Sequence, residues 1–167
     1  MSVVVRFANR HDAPAMTSIY NEYIVDSHVS FDTDPWTDAQ RAAWLENRLS
    51  SGYPVLVAEV DGVVVGSAWS GPWRDKQAYE STVETTIVLD DAFIGRGVGT
   101  KLYARLLAVL ADSGFHRAVA IVALPNDASL ALHHKLGFAT VGVLDEAGFK
   151  DDRYVSTMLL QRSLEIG

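Results

Sequence analysis

The chain has 167 residues, 49% of them hydrophobic, with a formal net charge of −7 and no cysteine. This is the length of one domain with an ample core, and its acidity argues against a nucleic-acid partner, whose phosphates need basic clusters. Without cysteine, disulfides, thiolate nucleophiles and zinc–thiolate sites are excluded.

The N-terminus, Met1-Ser2-Val3-Val4-Val5-Arg6, has no apolar run of signal-peptide form, and no segment approaches membrane-spanning length. The reading is a cytoplasmic protein, undivided by linker, repeat or charge block and forming a single domain over 1–167. Val3–Ala8 reads as a first strand. A helix follows from Asp12, with Pro14 in its first turn and apolar positions at Met16, Ile19, Tyr20, Tyr23 and Ile24. Thr37-Asp38-Ala39-Gln40 is a capping-box pattern that opens a second helix through Trp44, Leu45 and Leu49. Pro54–Val60 and Val63–Ser70 are β-rich runs around Asp61-Gly62, a strong hairpin signal.

Ser81–Leu89 is the next strand, followed by the turn Ile94-Gly95-Arg96-Gly97-Val98-Gly99-Thr100 and a helix from Lys101 to Ala111. Arg117–Leu124 is almost wholly small or branched apolar, as suits a strand buried on both faces. Asn126 caps a short helix ending at Gly137, and Thr140–Asp145 and Val155–Leu164 supply the last strands. An antiparallel first half and a βαβα unit in the second predict an α/β or α+β domain on one twisted mixed sheet.

Chemistry concentrates at the turn. Glycine reaches φ > 0 cheaply, so three alternating glycines let backbone N–H groups converge, and a helix N-terminus adds its dipole. Such a site suits phosphate. The dinucleotide fingerprint needs a glycine three residues after Gly97, where Thr100 stands, and a Walker A loop needs Gly-Lys-Ser/Thr, whereas Gly99 is followed by Thr100 and Lys101. About 20 residues beyond the turn, where a ribose-binding acid is required, lies Val119. Nicotinamide cofactors and P-loop nucleotides fit poorly. Taken alone, the glycines suit a tight connection equally well.

Alternation puts Glu84, Thr86 and Val88 on one face of the strand and Val83, Thr85, Ile87 and Leu89 on the other. A carboxylate in such a strand needs partners or a function; spacing alone favours a glutamate facing water or an arginine. On the last helix, His133 and His134 are turned roughly 100° apart, so a paired metal site is not expected.

These pieces together resemble the GNAT superfamily of N-acetyltransferases, and within it the phosphinothricin and methionine sulfoximine N-acetyltransferases. The residues that carry the likeness are Gly71-Pro72-Trp73-Arg74, Ala78-Tyr79, Thr82–Thr86, Gly95–Gly99, Leu124–Asp127, His133 with Lys135–Phe138, and Gly148-Phe149-Lys150. Matches run from Arg6 to Leu164. The resemblance implies one GNAT-type domain with a mixed sheet of about seven strands flanked by helices, and acetyl-CoA as cosubstrate with no metal. It places the pyrophosphate on Gly95, Arg96, Gly97, Val98, Gly99 and Thr100, and the pantetheine arm along Ile87, Val88 and Leu89 with help from Asn126. Where the family turn usually starts with Gln or Arg, this chain has Ile94. Backbone amides supply most of the grip, so binding should persist.

By the same likeness Glu84 is the general base, since an amine mostly protonated at neutral pH must lose its proton before attack. N–H groups near Leu89 would stabilise the oxyanion. Many relatives carry a tyrosine where this chain has His133; the narrower subgroup has histidine there. Its role is to protonate the leaving thiolate or to assist Glu84. Transfer is expected to be direct, in a ternary complex. The acceptor implied is a small amine of amino-acid type, with Arg74 as carboxylate clamp and Phe31, Trp73 and Tyr79 as walls, although packing alone would explain each aromatic. The segment Gly148–Tyr154 is expected to border the pocket as a loop; Asp152 and Tyr154 depart from the glycine and tryptophan common there. The family also implies a homodimer. A peptide or protein acceptor, and a silent acyl-CoA-binding sensor, are the alternatives.

Overall fold

The computed structural model describes residues 1–165. Strands β1 (Val3–Phe7), β2 (Val55–Val60), β3 (Val63–Pro72) and β4 (Thr82–Leu89) pair antiparallel in chain order. β5 (Arg117–Ala123) joins β4 in parallel, and β7 (Arg153–Ser163) lies between β5 and the edge strand β6 (Ala139–Lys150). Among the described residues this makes one seven-stranded mixed sheet, the α+β architecture expected.

Helices cover both faces. On one, α1 (Ala13–Asp26) and α2 (Asp38–Ser50) bring Met16, Ile19 and Leu45 against Val55, Val57, Trp69 and Val88. On the other, α3 (Val98–Asp112) buries Leu102, Tyr103, Leu106 and Leu110 against Leu56, Ala58, Ala68 and Val83, joined by α4 (Asp127–Lys135). No helix among the described residues is long and apolar enough to cross a membrane.

Local signals explain most joins. Asp61 (φ 51°) and Gly62 (φ 85°) are both left-handed, as the two-residue hairpin between β2 and β3 requires. Thr37 and Gln40 cap α2 reciprocally at 2.8 and 3.2 Å. Three expectations need correction. α3 starts at Val98, because Gly97 (φ 81°) is its N-cap and the residues after it are already helical. β6 runs on to Lys150 through a register shift before Gly148, so Gly148–Tyr154 is strand, turn and strand rather than loop. Asp151 and Asp152 make that turn at φ 52° and 58°, which Asp tolerates better than most residues. Nor is β5 buried on both faces: Ile121 is 42% exposed, because β4 leaves it.

Candidate active site

That departure makes the site. The β4–β5 ladder spans only Thr82–Glu84 against Arg117–Val119. Beyond it the strands part, and a cleft of about 290 Å³ opens between Ile87 and Val88 on one side and Ile121–Ala123 on the other. Asp90 N–H turns to Val65 O of β3 at 2.9 Å. Main-chain groups alternate between the edges of a strand, so those of Leu89 and Ile87 turn to the cleft while those of Val88 face β3. Tyr23 of α1 already holds Leu89: its hydroxyl donates to Leu89 O at 2.7 Å and accepts from Leu89 N–H at 3.4 Å. Among the described residues Ile87 has no such side-chain partner.

The glycine turn packs beside the end of β4. Gly95 (φ 76°) and Gly97 (φ 81°) occupy left-handed positions with open space where a Cβ would stand. Gly99 is a close-approach glycine, since a Cβ there would lie 3.0 Å from Leu89 Cδ1. No side chain caps α3, and the first intrahelical bond is Lys101 N–H to Gly97 O. The N–H groups of Val98, Gly99 and Thr100 therefore start the helix without helical partners. Arg96 stands over the Phe93 ring at 5.7 Å, and Ile94 is exposed. This is a cradle suited to a diphosphate.

Glu84 lines the cleft, half-buried, on the α1/α2 face. Burial raises its carboxyl above the ordinary carboxylate range, and the charges of Arg48 and Arg74 partly offset this. His133 lines the same cleft from the opposite side. It is 3% exposed, and burial lowers its imidazole below the usual histidine range. Nδ1 lies 2.7 Å from Ser129 O and Nε2 lies 3.1 Å from the Tyr103 hydroxyl, which is 2.7 Å from Thr85 Oγ1. A carbonyl only accepts, so Nδ1 carries the proton and the neutral ring accepts from Tyr103. Thr85 then donates to Tyr103. Neighbouring residues 84 and 85 thus send their side chains to opposite faces of the sheet, and the cleft passes between them.

Asn126 behaves as a dual-purpose cap: its Oδ1 accepts from Ser129 N–H at 3.1 Å, and it lines the cleft. Of the four expected acceptor-binding residues, Phe31 lines the cleft and Trp73, Arg74 and Tyr79 do not. Arg74 is exposed with its guanidinium 4.6 Å from the Trp73 ring centroid, though its charge reaches Glu84. The walls on the Glu84 side come instead from Tyr20, Tyr23, Val29, Ser30 and Phe31. Gly148 carries the Phe31 ring, with Phe31 Cδ2 only 3.0 Å from where its Cβ would be. Phe149 and Tyr154 face outward, 60% and 65% exposed. Sequence reasoning passed over Tyr23, Thr85 and Tyr103, whose polar atoms meet only in three dimensions.

The profile of the Acetyltransferase (GNAT) family matches residues 16–138. A phosphinothricin N-acetyltransferase of Streptomyces viridochromogenes is 40% identical over 98% of this chain and 89% of its own length. An L-methionine sulfoximine/L-methionine sulfone acetyltransferase of Salmonella typhimurium is 36% identical over 98% and 95%. The solved phosphinothricin acetyltransferase of Sinorhizobium meliloti, in complex with acetyl-CoA, superposes with a TM-score of 0.95 at 31% identity, covering 100% of this chain and 91% of that one. The chain belongs to the GNAT acetyltransferase family, close to its phosphinothricin and methionine sulfoximine N-acetyltransferases.

Proposed function

We propose that this enzyme transfers the acetyl group of acetyl-CoA to the amine of a small amino-acid-like acceptor, of the phosphinothricin, methionine sulfoximine or methionine sulfone type, by direct attack in a ternary complex. The observation that carries this reading is the through-sheet cleft. It is lined by Glu84 and, on the far side of β4, by His133, and the end of β4 packs against Gly99 at the uncapped start of α3.

The diphosphate of acetyl-CoA rests on the amides of 95–100, and its pantetheine arm runs along the main chain that β4 turns to the cleft, with the Asn126 amide opposite. Val88 contributes side-chain contact only. The acceptor enters from the α1/α2 face, where Glu84 takes the ammonium proton directly or through water; burial has raised its basicity towards that of its task. The tetrahedral oxyanion is met by Ile87 N–H, because Leu89 N–H already points at Tyr23. Removing one such donor commonly costs about 2.7–4 kcal/mol of transition-state stabilisation. His133 stands on the thiolate side, separated from Glu84 by the strand, and would serve the departing sulfur by turning its Nδ1–H from Ser129 O to the thiolate. Exposed Val141, Val143 and Leu144 on the edge strand β6 support a homodimer.

A panel of amino acids assayed with acetyl-CoA and a thiol reagent tests the acceptor. Turnover of phosphinothricin, methionine sulfoximine or methionine sulfone is expected. Turnover of peptides alone would assign a protein acceptor, and acetyl-CoA binding without turnover a sensor. For the cradle, Gly97→Val forces a branched side chain to φ 81°, at about 1–2 kcal/mol. The expected result is a KM for acetyl-CoA raised roughly tenfold, with acceptor KM unchanged. An unaltered acetyl-CoA KM would remove the turn from cosubstrate binding.

A further inference from the structure

We infer that Arg48 is a positioning residue for Glu84: its guanidinium, seated over Gly71 in the cross-strand slot beside Glu84, is the counter-charge that keeps this carboxylate ionised. Gly71 and Glu84 are register partners on β3 and β4. Directly paired residues point to the same face, with Cβ atoms roughly 4.5–5.5 Å apart. Gly71 has no side chain, and a Cβ built there would lie 2.7 Å from Arg48 Cζ and closer still to Nη1. The guanidinium of α2 therefore fills the place that a residue-71 side chain would take. It is fixed there by the Nη1 bond to Ser70 O at 3.1 Å and by the Trp44 ring, 5.3 Å from Cζ. The ion pairs among the described residues involve Arg6 and His116, so no carboxylate competes for it at contact distance.

Other groups around Glu84 do not supply this charge. From α1, the Tyr20 and Tyr23 hydroxyls are neutral, Tyr20 pushed up to about 12 and Tyr23 raised, both chiefly by burial. From β5, the partner is Val119. His133 lies across β4 and is uncharged. Arg74 acts in the same sense as Arg48, but it is exposed and water screens it. Arg48 is half-buried and is the stronger of the two. The cost of burying a carboxylate beside a β-branched strand is thus offset by a cation that only a glycine at 71 admits.

The kinetic consequence rests on Glu84 being the base; the charge pairing does not, so the two are read separately. The Glu84 carboxyl is followed by ¹³C NMR in the free protein, assigned by its loss in Glu84→Gln. In Arg48→Met its midpoint should rise by about one pH unit, and the acidic limb of kcat/KM should move up with it while acceptor KM stays put. Arg48→Lys should retain most of the wild-type midpoint. Gly71→Ala, which evicts the guanidinium while leaving Arg48 in the chain, should reproduce the Arg48→Met shift, and the double variant should add nothing further. If Arg48→Met does not fold, the Gly71→Ala midpoint decides. An unchanged midpoint in the folded variants overturns the inference, as does a raised acceptor KM without a shift, which would make Arg48 an acceptor ligand. A shifted midpoint with an unmoved rate limb upholds the pairing and removes Glu84 as base.

Discussion

Replacing Glu84 with Gln should lower kcat by about 10²–10⁴-fold and leave the Kd for acetyl-CoA unchanged. The amide is nearly isosteric with the carboxylate and keeps the half-buried slot filled, but it cannot take a proton from the acceptor ammonium. On the proposed reading the acceptor enters from the α1/α2 face while the cosubstrate cradle opens α3 on the other, so the loss should fall on chemistry and not on cosubstrate binding. The pH profile gives the sign. A base works only when ionised, so wild-type kcat/KM falls as pH falls through the Glu84 midpoint, which burial has lifted above the ordinary carboxylate range. In the Gln variant that acidic limb should vanish. Stopped-flow or coupled-assay rates across pH, with calorimetric acetyl-CoA titrations, check both parts; wild-type kcat in the variant would remove Glu84 from the mechanism.

Lys150→Met should cost about 3 kcal/mol of stability, a fall in Tm of roughly 10 °C for a protein of this size. Lys150 is 5% exposed, and its Nζ donates to Ile24 O, Ser27 O and Ser30 O at 2.7, 2.8 and 2.7 Å. A buried ammonium is expensive, and three carbonyls at the end of α1 and just beyond it offset that cost, helped by the helix dipole. Methionine fills the volume and abandons all three acceptors. The consequence reaches the cleft, because Ser30 accompanies Val29 and Phe31 in its wall, and Ser30 Oγ also lies 3.2 Å from the Tyr20 hydroxyl. Acceptor KM should therefore rise while acetyl-CoA KM holds. Thermal unfolding and steady-state kinetics test this; a Tm and acceptor KM at wild-type values would show that the clamp holds nothing.

The legibility of the molecule followed the range of the signals. Hairpin, capping box and glycine turn are local devices, readable because a few adjacent residues decide the backbone, and the strand–turn–helix from Ser81 stands as expected apart from α3 starting three residues early. The long β6 escaped because its register shift before Gly148 breaks the period-two pattern and its turn is built from two aspartates instead of glycine. Trp73, Arg74 and Tyr79 were expected at the cleft from the family resemblance, yet they follow the end of β3 at Pro72 and do not line the cleft, and the wall is supplied by 29–31 after α1. That segment is pinned from more than a hundred residues away by Lys150. Arg48 was invisible for the same reason: its meaning lies in the β3–β4 register, where a glycine on one strand makes room for a cation beside a glutamate on the next. His133 was singled out by resemblance, but its tautomer was not, since that is set by Ser129 of its own helix and by Tyr103 of α3, which Thr85 of β4 holds in turn.

A crystal structure with acetyl-CoA and a slow acceptor analogue would show whether the cleft seats both ligands as proposed. The expected result has the diphosphate oxygens within hydrogen-bonding distance of the amides of Val98, Gly99 and Thr100, the thioester carbonyl against Ile87 N–H, and the acceptor nitrogen between that carbonyl and Glu84. Acetyl-CoA bound away from the start of α3, or an acceptor amine on the His133 side of β4, would contradict it.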